Sequence, residues 1–578
     1  NLLGVKLRGS LYKRYPSDPD FEPAVDPVGV SHVRGLGFGG GGKTVKNTNK
    51  SIGGSLSFTP ADNHSIVFDI DYSKQKYDNT PIVNPDTGAI SYPLGTLDGI
   101  ASIWRAPGGV VAPQVGYTEN QVFDRLNWAV THQGDWGFAR SFISLAYVKT
   151  NNKGRTMPFS VAERSQLQQM WNGVGEYAGL TTAERRAIAE ATFLPRPLRK
   201  LESSQYTLDA RLDIPVENFG GSHHFVIGGQ YIDGKLDDGV FGLESDIGGI
   251  EAVQDLRIWS LFAEDNWTLF EGLTVTGGLR YDHHNMFGGH FSPRLYGNYN
   301  ITPTLTIKGG VSTGYKTPRT TDLYDGIRGF GGQGTSPMIG NPDLKPETSV
   351  NSEVALYWNP SPNSGINVTL FHNKFKDKIS TIIVEPCEIT GFVRPCANLG
   401  DYWAVLGLGR TISIPFNIDK ARIKGAEIAG RYQFFDGLSI RANYTYTDSK
   451  QLSGPSEGQP LTQTVKHMAN ATLDWRVFDR LSAQLSAEHR SRRYRGVDAN
   501  GRHLYYKSYS VLNLGAQYRL TDFLTLSGRV NNLLNKDFRA YDVDFGDPLG
   551  GVYTPTYNDH YNNKDKARSY WVSVNARF

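Results

Sequence analysis

Apolar and polar residues alternate along the end of the chain. Tyr570, Val572, Val574, Ala576 and Phe578 fall on one side of an extended segment, and Trp571, Ser573, Asn575 and Arg577 fall on the other. Because successive side chains of a strand point to opposite faces, this alternation predicts a strand with one apolar and one polar face. A soluble sandwich would turn the apolar face inward, whereas a barrel in lipid would turn it outward.

The same alternation recurs elsewhere in the chain. It is clearest in segments 305–313, 438–446, 512–520 and 524–530. Each segment has roughly the ten residues that cross a bilayer when a strand is tilted. The polar faces carry Arg and Lys, which a packed core would bury at high cost and a water-filled lumen would not. The repetition therefore predicts an all-β fold, a transmembrane antiparallel β-barrel.

The connections between these segments alternate in length. Short turns are predicted at 61–63, 134–137, 271–272, 302–304, 436–437 and 521–522, and long loops near 15–48, 80–117, 155–201, 239–251, 321–344, 384–418 and 540–565. Short turns on one rim and long loops on the other are typical of outer-membrane barrels. We count about 20 strands, an even number that places both chain ends at the periplasmic rim. Thr181 and Glu184 have capping-box spacing, and loop 155–201 is predicted to carry two short helices.

Composition narrows the classes of function. The net charge of +3 is too small to favour nucleic acid, and no run of 18 apolar residues predicts a transmembrane helix. No Ser, His and Asp set shares a rim, so an enzyme is not expected. No metal site is predicted, because His283 and His284 are adjacent in a strand and point to opposite faces.

The two cysteines, Cys387 and Cys396, lie in a loop that contains Pro and Gly, with eight residues between them. This spacing favours a local disulfide formed in an oxidising compartment. Two unpaired thiols are the alternative.

Several longer motifs carry a family resemblance. They are L-F-A-E-D-N-W at 261–267, F-S-P-R at 291–294, K-G-G-V-S-T-G-Y-K-T-P at 308–318, N-P-D-L-K-P-E-T at 341–348, N-N-L-L-N-K-D-F at 531–538 and the terminal V-S-V-N-A-R-F. The chain resembles the barrel of TonB-dependent outer-membrane receptors over nearly its full length. It is most similar to catecholate-siderophore receptors of the colicin I receptor and ferric-enterobactin receptor type.

The resemblance implies a barrel of roughly 22 strands that follows a plug bearing a TonB box. This chain opens on what resembles the third strand, so residues 1–578 are expected to be the C-terminal barrel domain without the plug and first hairpin. The apolar face from Tyr570 to Phe578 resembles the family's assembly signal.

The implied function is uptake of ferric siderophores of the catecholate type. The implied partners are TonB–ExbB–ExbD acting through the plug, the outer-membrane assembly machinery, lipopolysaccharide and bacteriocins. No cofactor is expected on the protein itself, since ferric iron arrives inside the siderophore. A passive, porin-like channel is the alternative.

A ferric tris-catecholate is trianionic and has flat aromatic arms, so its site calls for Arg, Lys and aromatic side chains on the long loops. The candidates are Trp104, Arg105, Lys316, Arg319, Tyr324, Arg328, Arg394, Trp403, Arg410, Arg490, Arg492, Arg493, Tyr494, Arg495, Tyr553, Tyr557 and Tyr561. Each cation could instead bind lipopolysaccharide phosphates or stay solvated.

Overall fold

The computed structural model describes residues 2–577 apart from 17–20, 35–43, 84, 86–87, 89, 218, 246–252, 407–411, 455, 498–500, 547–552 and 563–566. Two residues singled out by sequence, Arg410 and Phe578, lie outside the described residues.

The wall of the molecule is a sheet of 20 strands in the described part of the chain, as the sequence predicts. They are β1 (Leu3–Arg14), β2 (Asn47–Ala61), β3 (His64–Asp78), β4 (Asn120–Asp135), β5 (Arg140–Lys153), β6 (Leu201–Val216), β7 (Ser222–Asp238), β8 (Val253–Phe270), β9 (Leu273–His284), β10 (Gly288–Thr302), β11 (Leu305–Lys316), β12 (Glu347–Ser361), β13 (Ser364–Val384), β14 (Ile412–Phe435), β15 (Leu438–Gln451), β16 (His467–Phe478), β17 (Leu481–Arg490), β18 (Tyr509–Arg519), β19 (Leu524–Asn531) and β20 (Ser569–Ala576). Each strand pairs antiparallel with the next in chain order.

The two rims differ as expected. Turns of two to five residues join each even-numbered strand to the next, and longer segments on the opposite rim join the odd-numbered strands to their successors, except for the three residues 285–287. The sequence did not single out the turns at 217–221, 362–363 and 479–480, or the loops at 452–466 and 491–508.

The long loops carry their own secondary structure. Short hairpins pair Ala24–Val25 with Ser31–His32, Ile82–Val83 with Ile90–Ser91, Ile327–Gly331 with Ser336–Ile339, Arg493–Val497 with His503–Tyr506 and Tyr541–Phe545 with Pro555–Asp559. The helices are α1 (Ile100–Ile103), α2 (Val161–Asn172), α3 (Thr182–Phe193), α4 (Cys387–Thr390) and α5 (Trp403–Leu406), with 3-10 turns at Pro107–Gly109, Gly175–Tyr177, Thr320–Leu323, Gly332–Gly334 and Gly400–Tyr402. The sequence predicted α2 and α3 but none of the hairpins.

Local chemistry fixes the two longest helices. The hydroxyls of Ser160 and Thr181 accept hydrogen bonds from the backbone N–H groups of Glu163 and Glu184, and the two carboxylates bond back. Such reciprocal capping satisfies amide groups that a helix start otherwise leaves without partners. Helix α2 ends at Asn172 and is capped by Gly173, whose φ of +64° suits a residue without a Cβ.

The two faces of the wall carry different chemistry. On β3, Ile66, Phe68, Ile70 and Tyr72 share one face and stay exposed, because no other described residues cover them. On the opposite face, the guanidinium of Arg8 pairs with the carboxylate of Asp71 and donates to the hydroxyl of Ser55. We call these the outer and inner faces, since an apolar exterior and a polar lumen are the arrangement of a membrane barrel.

The two edges of the sheet are β1 and β20. Within the described chain, β1 pairs with β2 and β20 with β19, and no register joins β1 to β20. Tyr570 and Val572 on the outer face of β20 are each 71% exposed.

Candidate functional site

The long loops pack together into a cap with its own apolar core. One cluster consists of Val161, Val240, Leu243, Ile327, Ile339, Val384, Ala397, Leu399, Tyr402, Leu406, Ile412 and Ile414, and a second consists of Ile103, Val111, Val115, Phe159, Leu167, Met170, Tyr177, Ala189 and Phe193. Arg164 links the clusters, because its guanidinium donates to the carbonyl of Val111 in the second cluster and lies over the ring of Tyr402 in the first. The cap is therefore a folded unit rather than a set of separate loops.

Both candidate tryptophans belong to this core. Trp104 packs against the second cluster, with its ring centroid 5.1 Å from that of Trp171, and Trp403 packs against the first. Arg105 lies beside Trp104, and its Nη1 is buried with no hydrogen-bond partner among the described residues. Arg105 also has no ion pair among the described residues.

Three candidates between residues 320 and 400 hold the cap together. The phenol of Tyr324 donates to Glu244 Oε1 at 2.6 Å, and burial together with this bond raises the pKa of Tyr324. Arg328 Nη1 lies 2.8 Å from Asp322 Oδ1. Arg394 Nη2 lies 2.9 Å from both carboxylate oxygens of Asp325.

The disulfide loop lies in the same region. Cys387 and Cys396 form a disulfide with their Cα atoms 4.8 Å apart, and both residues are buried. Among the described residues there is no free cysteine.

The cluster from Arg490 to Arg495 divides into buried and accessible members. Arg493 and Tyr494 are buried; burial lowers the pKa of Arg493, and the phenol of Tyr494 donates to Gln459 Oε1. Arg490 Nε lies 2.6 Å from Glu488 Oε1. Arg492 is exposed, and its guanidinium lies 4.4 Å from the ring centroid of Tyr505.

Arg495 occupies an intermediate position. Its Nη2 donates to Asn558 Oδ1 at 3.0 Å, and its guanidinium lies 5.5 Å from the ring centroid of Tyr506. The contact with Asn558 joins the loop at 491–508 to the last loop.

The last loop contributes an aromatic box that the sequence did not reveal. The guanidinium of Arg34 lies within 5.1 Å of the ring centroids of Phe21, Tyr541 and Tyr557, and its Nη1 is 2.8 Å from Asp559 Oδ1. Tyr553 packs edge-on against Phe545, and Tyr561 is buried with Tyr509 and Phe538. No local sequence signal links Arg34 to residues more than 500 positions away.

Two candidates remain at the base of the loop after β11. Lys316 pairs with Glu347 Oε2 at 2.6 Å but stays exposed. Arg319 is exposed, and no described residue pairs with it. Arg319 and Arg492 are thus exposed and, like Arg105, have no ion pair among the described residues.

The inner wall adds polar groups that the sequence analysis did not select. A concavity near the short-turn rim is lined by polar residues that include Ser439, Asp474, Gln484, Gln517 and Arg529. Arg441 Nη2 pairs with Asp474 Oδ2 at 2.9 Å on the same face. The alternation of apolar and polar residues predicts that these side chains lie on the inner face, but it does not predict which of them contact one another.

Among the described residues, no group of three or more His, Cys, Asp or Glu side chains is placed to hold a metal ion. His283 stacks on Trp259, and the Nδ1 of buried His284 accepts a hydrogen bond from the backbone N–H of Met286. Among the helices the structure describes, none has the length and hydropathy needed to cross a bilayer.

Comparison with known families identifies the class. The model for the β-barrel of TonB dependent receptor-like proteins matches residues 53–533. The chain belongs to this family and is an outer-membrane β-barrel, which confirms the predicted fold class and location.

Two curated relatives show which members of the family this chain is similar to. The iron-regulated outer membrane virulence protein of Vibrio cholerae serotype O1 strain O395 is 30% identical over 465 residues, which cover 80% of this chain and 58% of that protein. The ferric enterobactin receptor of Pseudomonas aeruginosa is 28% identical over 496 residues, covering 81% of this chain and 60% of the receptor. The chain thus spans about three fifths of the length of these relatives.

Solved structures agree on the fold. A mutant of the ferric enterobactin receptor of Pseudomonas aeruginosa in complex with enterobactin superposes with a TM-score of 0.68 at 23% identity, covering 99% of this chain and 76% of that one. The siderophore receptor PirA of Acinetobacter baumannii gives a TM-score of 0.64 at 22% identity, covering 100% of this chain and 76% of that one.

Proposed function

We propose that this chain is the barrel of an outer-membrane receptor that takes up ferric siderophores of the catecholate type. The observation that carries the proposal is the likeness, over about four fifths of the chain, to a receptor named for ferric enterobactin. The energy comes from TonB–ExbB–ExbD acting through a plug, as the family implies. The protein itself holds no cofactor and catalyses no reaction, and ferric iron is its cargo. Further partners are the outer-membrane assembly machinery, through the face from Tyr570 to Phe578, and bacteriocins.

Residues 1–578 form the C-terminal barrel domain of a longer receptor in this proposal. The match covers 58% and 60% of the length of the two curated relatives, so both relatives extend well beyond it. The open edges of β1 and β20, each of which pairs with one neighbour only among the described strands, also support it, because lipid tolerates no open sheet edge. A partner for both edges would close the wall.

Ligand recognition is assigned to the cap and to the loop at 491–508. Arg105, Arg319 and Arg492 have guanidinium groups that no ion pair within the described part of the chain neutralises, whereas Arg328 and Arg394 are already paired with carboxylates. The exposed pair of Arg492 and Tyr505 offers both charge and an aromatic face, which suits a trianionic catecholate. The candidates that pack inside the loops, such as the half-buried Tyr324 and Trp403 and the buried Tyr561, then act by holding the loops in shape.

Growth under iron starvation tests the function. Cells that depend on a supplied ferric catecholate should stop growing when the gene for the full-length receptor is deleted and should recover when it is restored. A passive channel would instead change permeability to small solutes without dependence on TonB. Unchanged growth on every ferric catecholate tried would overturn the proposal.

Substitution of Arg492 tests the site. Arg492→Ala in the full-length receptor should weaken binding of a ferric catecholate by roughly tenfold, since a charge-assisted contact contributes about 1.5 kcal/mol. Arg476→Ala is the matched control, because Arg476 is exposed at a short turn on the opposite rim and pairs only with Asp436 among the described residues. Equal affinity of the two variants would remove Arg492 from the site.

A further inference from the structure

The first and last loops of the chain contact each other beside the open edges of the sheet. The first loop follows β1 and the last loop precedes β20, and no register among the described strands joins these two strands. We call the meeting point of the two loops the seam contact. It consists of Phe21, Glu22, His32 and Arg34 in the first loop and Tyr541, Phe545, Tyr557 and Asp559 in the last loop. Of these residues, only Tyr557 is among the ligand candidates.

Arg34 is the centre of the seam contact. Its guanidinium lies 4.5 Å from the ring centroid of Tyr541 and 5.1 Å from those of Phe21 and Tyr557. Its Nη1 lies 2.8 Å from Asp559 Oδ1, and its side chain is only 9% exposed. Ion pairing and cation–π attraction both strengthen when the cation is shielded from water. Since three of these four partners belong to the last loop, Arg34 ties the first loop to the last.

Further contacts surround Arg34. The phenol of Tyr541 donates to the backbone carbonyl of Glu22 at 3.1 Å, and its ring centroid lies 5.5 Å from that of Phe21. The ring centroids of His32 and Phe545 are also 5.5 Å apart. His32 belongs to the short hairpin of the first loop, and Tyr541 and Phe545 belong to that of the last loop. The two hairpins therefore pack against each other, and the contact does not depend on one side chain.

Each loop is also anchored to its own side of the wall. At the base of the first loop, Lys46 Nζ lies 3.0 Å from Asp78 Oδ2 at the end of β3, and the carbonyl of Lys46 accepts a hydrogen bond from the N–H of Asp78. In the last loop, Phe538 and Tyr561 form a buried cluster with Tyr509 on β18. Because both loops are fixed to strands near the edges, the seam contact constrains the edges as well as the loops.

Closure of a barrel requires its first and last strands to meet with matching tilt and stagger. Bringing such distant segments together costs chain entropy, and Glu22 and Tyr541 are 519 positions apart. The seam contact joins the loops beside the two edges without strand pairing between β1 and β20 among the described residues. Once it has formed, strands that complete the wall meet both edges at a high effective concentration.

We propose that the seam contact is a latch, which holds β1 and β20 in place while the barrel closes and keeps the closed wall from opening there. The proposal rests on one part of the proposed function, namely that residues 1–578 are the barrel of a longer receptor. It is independent of the siderophore.

The test compares single variants of the full-length receptor. Arg34→Met removes the guanidinium from the seam contact and leaves an apolar side chain in its place. The control is Arg155→Met, because the guanidinium of Arg155 lies 4.4 Å from the ring centroid of Tyr117 and thus joins two loops whose strands are already paired through β4. Each unfolded receptor is refolded into lipid vesicles, and the folded fraction is followed by the shift in gel mobility on heating. Hydrogen exchange of the assembled receptors is then measured strand by strand.

Arg34→Met should fold more slowly than the wild type and the control. In the assembled receptor its β1 and β20 amides should exchange about fivefold faster, while β10 and β11 in the middle of the sheet keep their rates. Asp559→Asn keeps the aromatic contacts and should show the same pattern with a smaller change. A role of Arg34 within the loops alone predicts faster exchange only at residues 21–34 and 541–559, and that result would overturn the proposal.

A covalent link across the seam contact provides the second measurement. His32→Cys and Phe545→Cys are added to the Arg34→Met receptor and joined after assembly by a short bismaleimide. The link should return the β1 and β20 amides to wild-type exchange rates, whereas the same receptor without the linker should not recover. Unchanged exchange in the linked receptor would show that the seam contact does not hold the edges. Growth on ferric catecholates reports separately on the proposed uptake, so either proposal can fail while the other stands.

Discussion

The wall and the cap are built from the same chain but bury their apolar side chains in different surroundings. In the wall, Leu370 and Val572 are 53% and 71% exposed, whereas Leu167 and Tyr402 in the cap are 0% exposed. The wall leaves its apolar face to the lipid, and the cap packs its apolar residues against one another as a soluble domain does. A change in the wall should therefore act through the membrane, and a change in the cap should act through local packing.

The largest expected effect is in the cap, at Arg196. Its buried guanidinium pairs with Glu163 at 2.7 Å and lies 4.1 Å from the ring centroid of Phe159. Arg196→Met should destabilise the cap by about 3–5 kcal/mol, because it removes the ion pair with Glu163 and also the donor to the carbonyls of Met157 and Pro158. Limited proteolysis of the assembled receptor should then cut loop 155–201 while the wall stays intact.

Arg186→Met serves as the control for this change, because Arg186 is exposed on α3 and belongs to neither cap cluster. If both variants resist protease equally, the cap is not held by the buried pair.

Next in size is the effect of a charge on the outer face of the wall. Leu485 on β17 is exposed on the face of Leu514, and its neighbour Gln484 points inward, where it donates to Asp474. Leu485→Arg should cost about 2–4 kcal/mol in a bilayer, whereas Gln484→Arg should be nearly neutral. Equilibrium unfolding in lipid vesicles measures both, and equal costs would show that the faces have been assigned wrongly.

The smallest effect concerns the start of α3. Thr181→Ala removes the hydroxyl that accepts from Glu184 N and should destabilise the helix by about 1 kcal/mol. Hydrogen exchange of α3 amides should speed up roughly fivefold, while strands of the wall keep their rates. The substitution Thr181→Ser should restore the protection of these amides from exchange. If it does not, the capping box contributes less to the stability of α3 than its geometry implies.

More of the wall than of the cap could be predicted from the sequence, and the reason is physical. A strand in lipid is predicted by the alternation of apolar and polar residues within about ten positions, as in Leu438–Gln451. The capping box at Thr181 is recognised from residues that are equally close in sequence. The contacts of the cap are not local: Tyr324 meets Glu244 across 80 positions, and Arg394 meets Asp325 across 69. Residue type identified Arg394 as a candidate, but only the fold shows that its charge is already paired.

The ligand roles of the loop residues remain predictions, and the structure ranks the candidates by how exposed each side chain is. Arg492 and Arg319 are exposed, whereas Arg493 and Tyr561 are buried. A list drawn from sequence treats these residues alike, since burial of a loop side chain depends on which other loops fold over it.

Binding of a ferric tris-catecholate to outer-membrane vesicles that contain the full-length receptor tests most directly the claim that the cap recognises the siderophore. The wild type should bind the complex saturably, and the Arg196→Met variant should lose most of that binding while its barrel still shows the heat-dependent gel shift of the folded wall. Full binding by a receptor whose cap is cut by protease, or no saturable binding by the wild type, would contradict the claim.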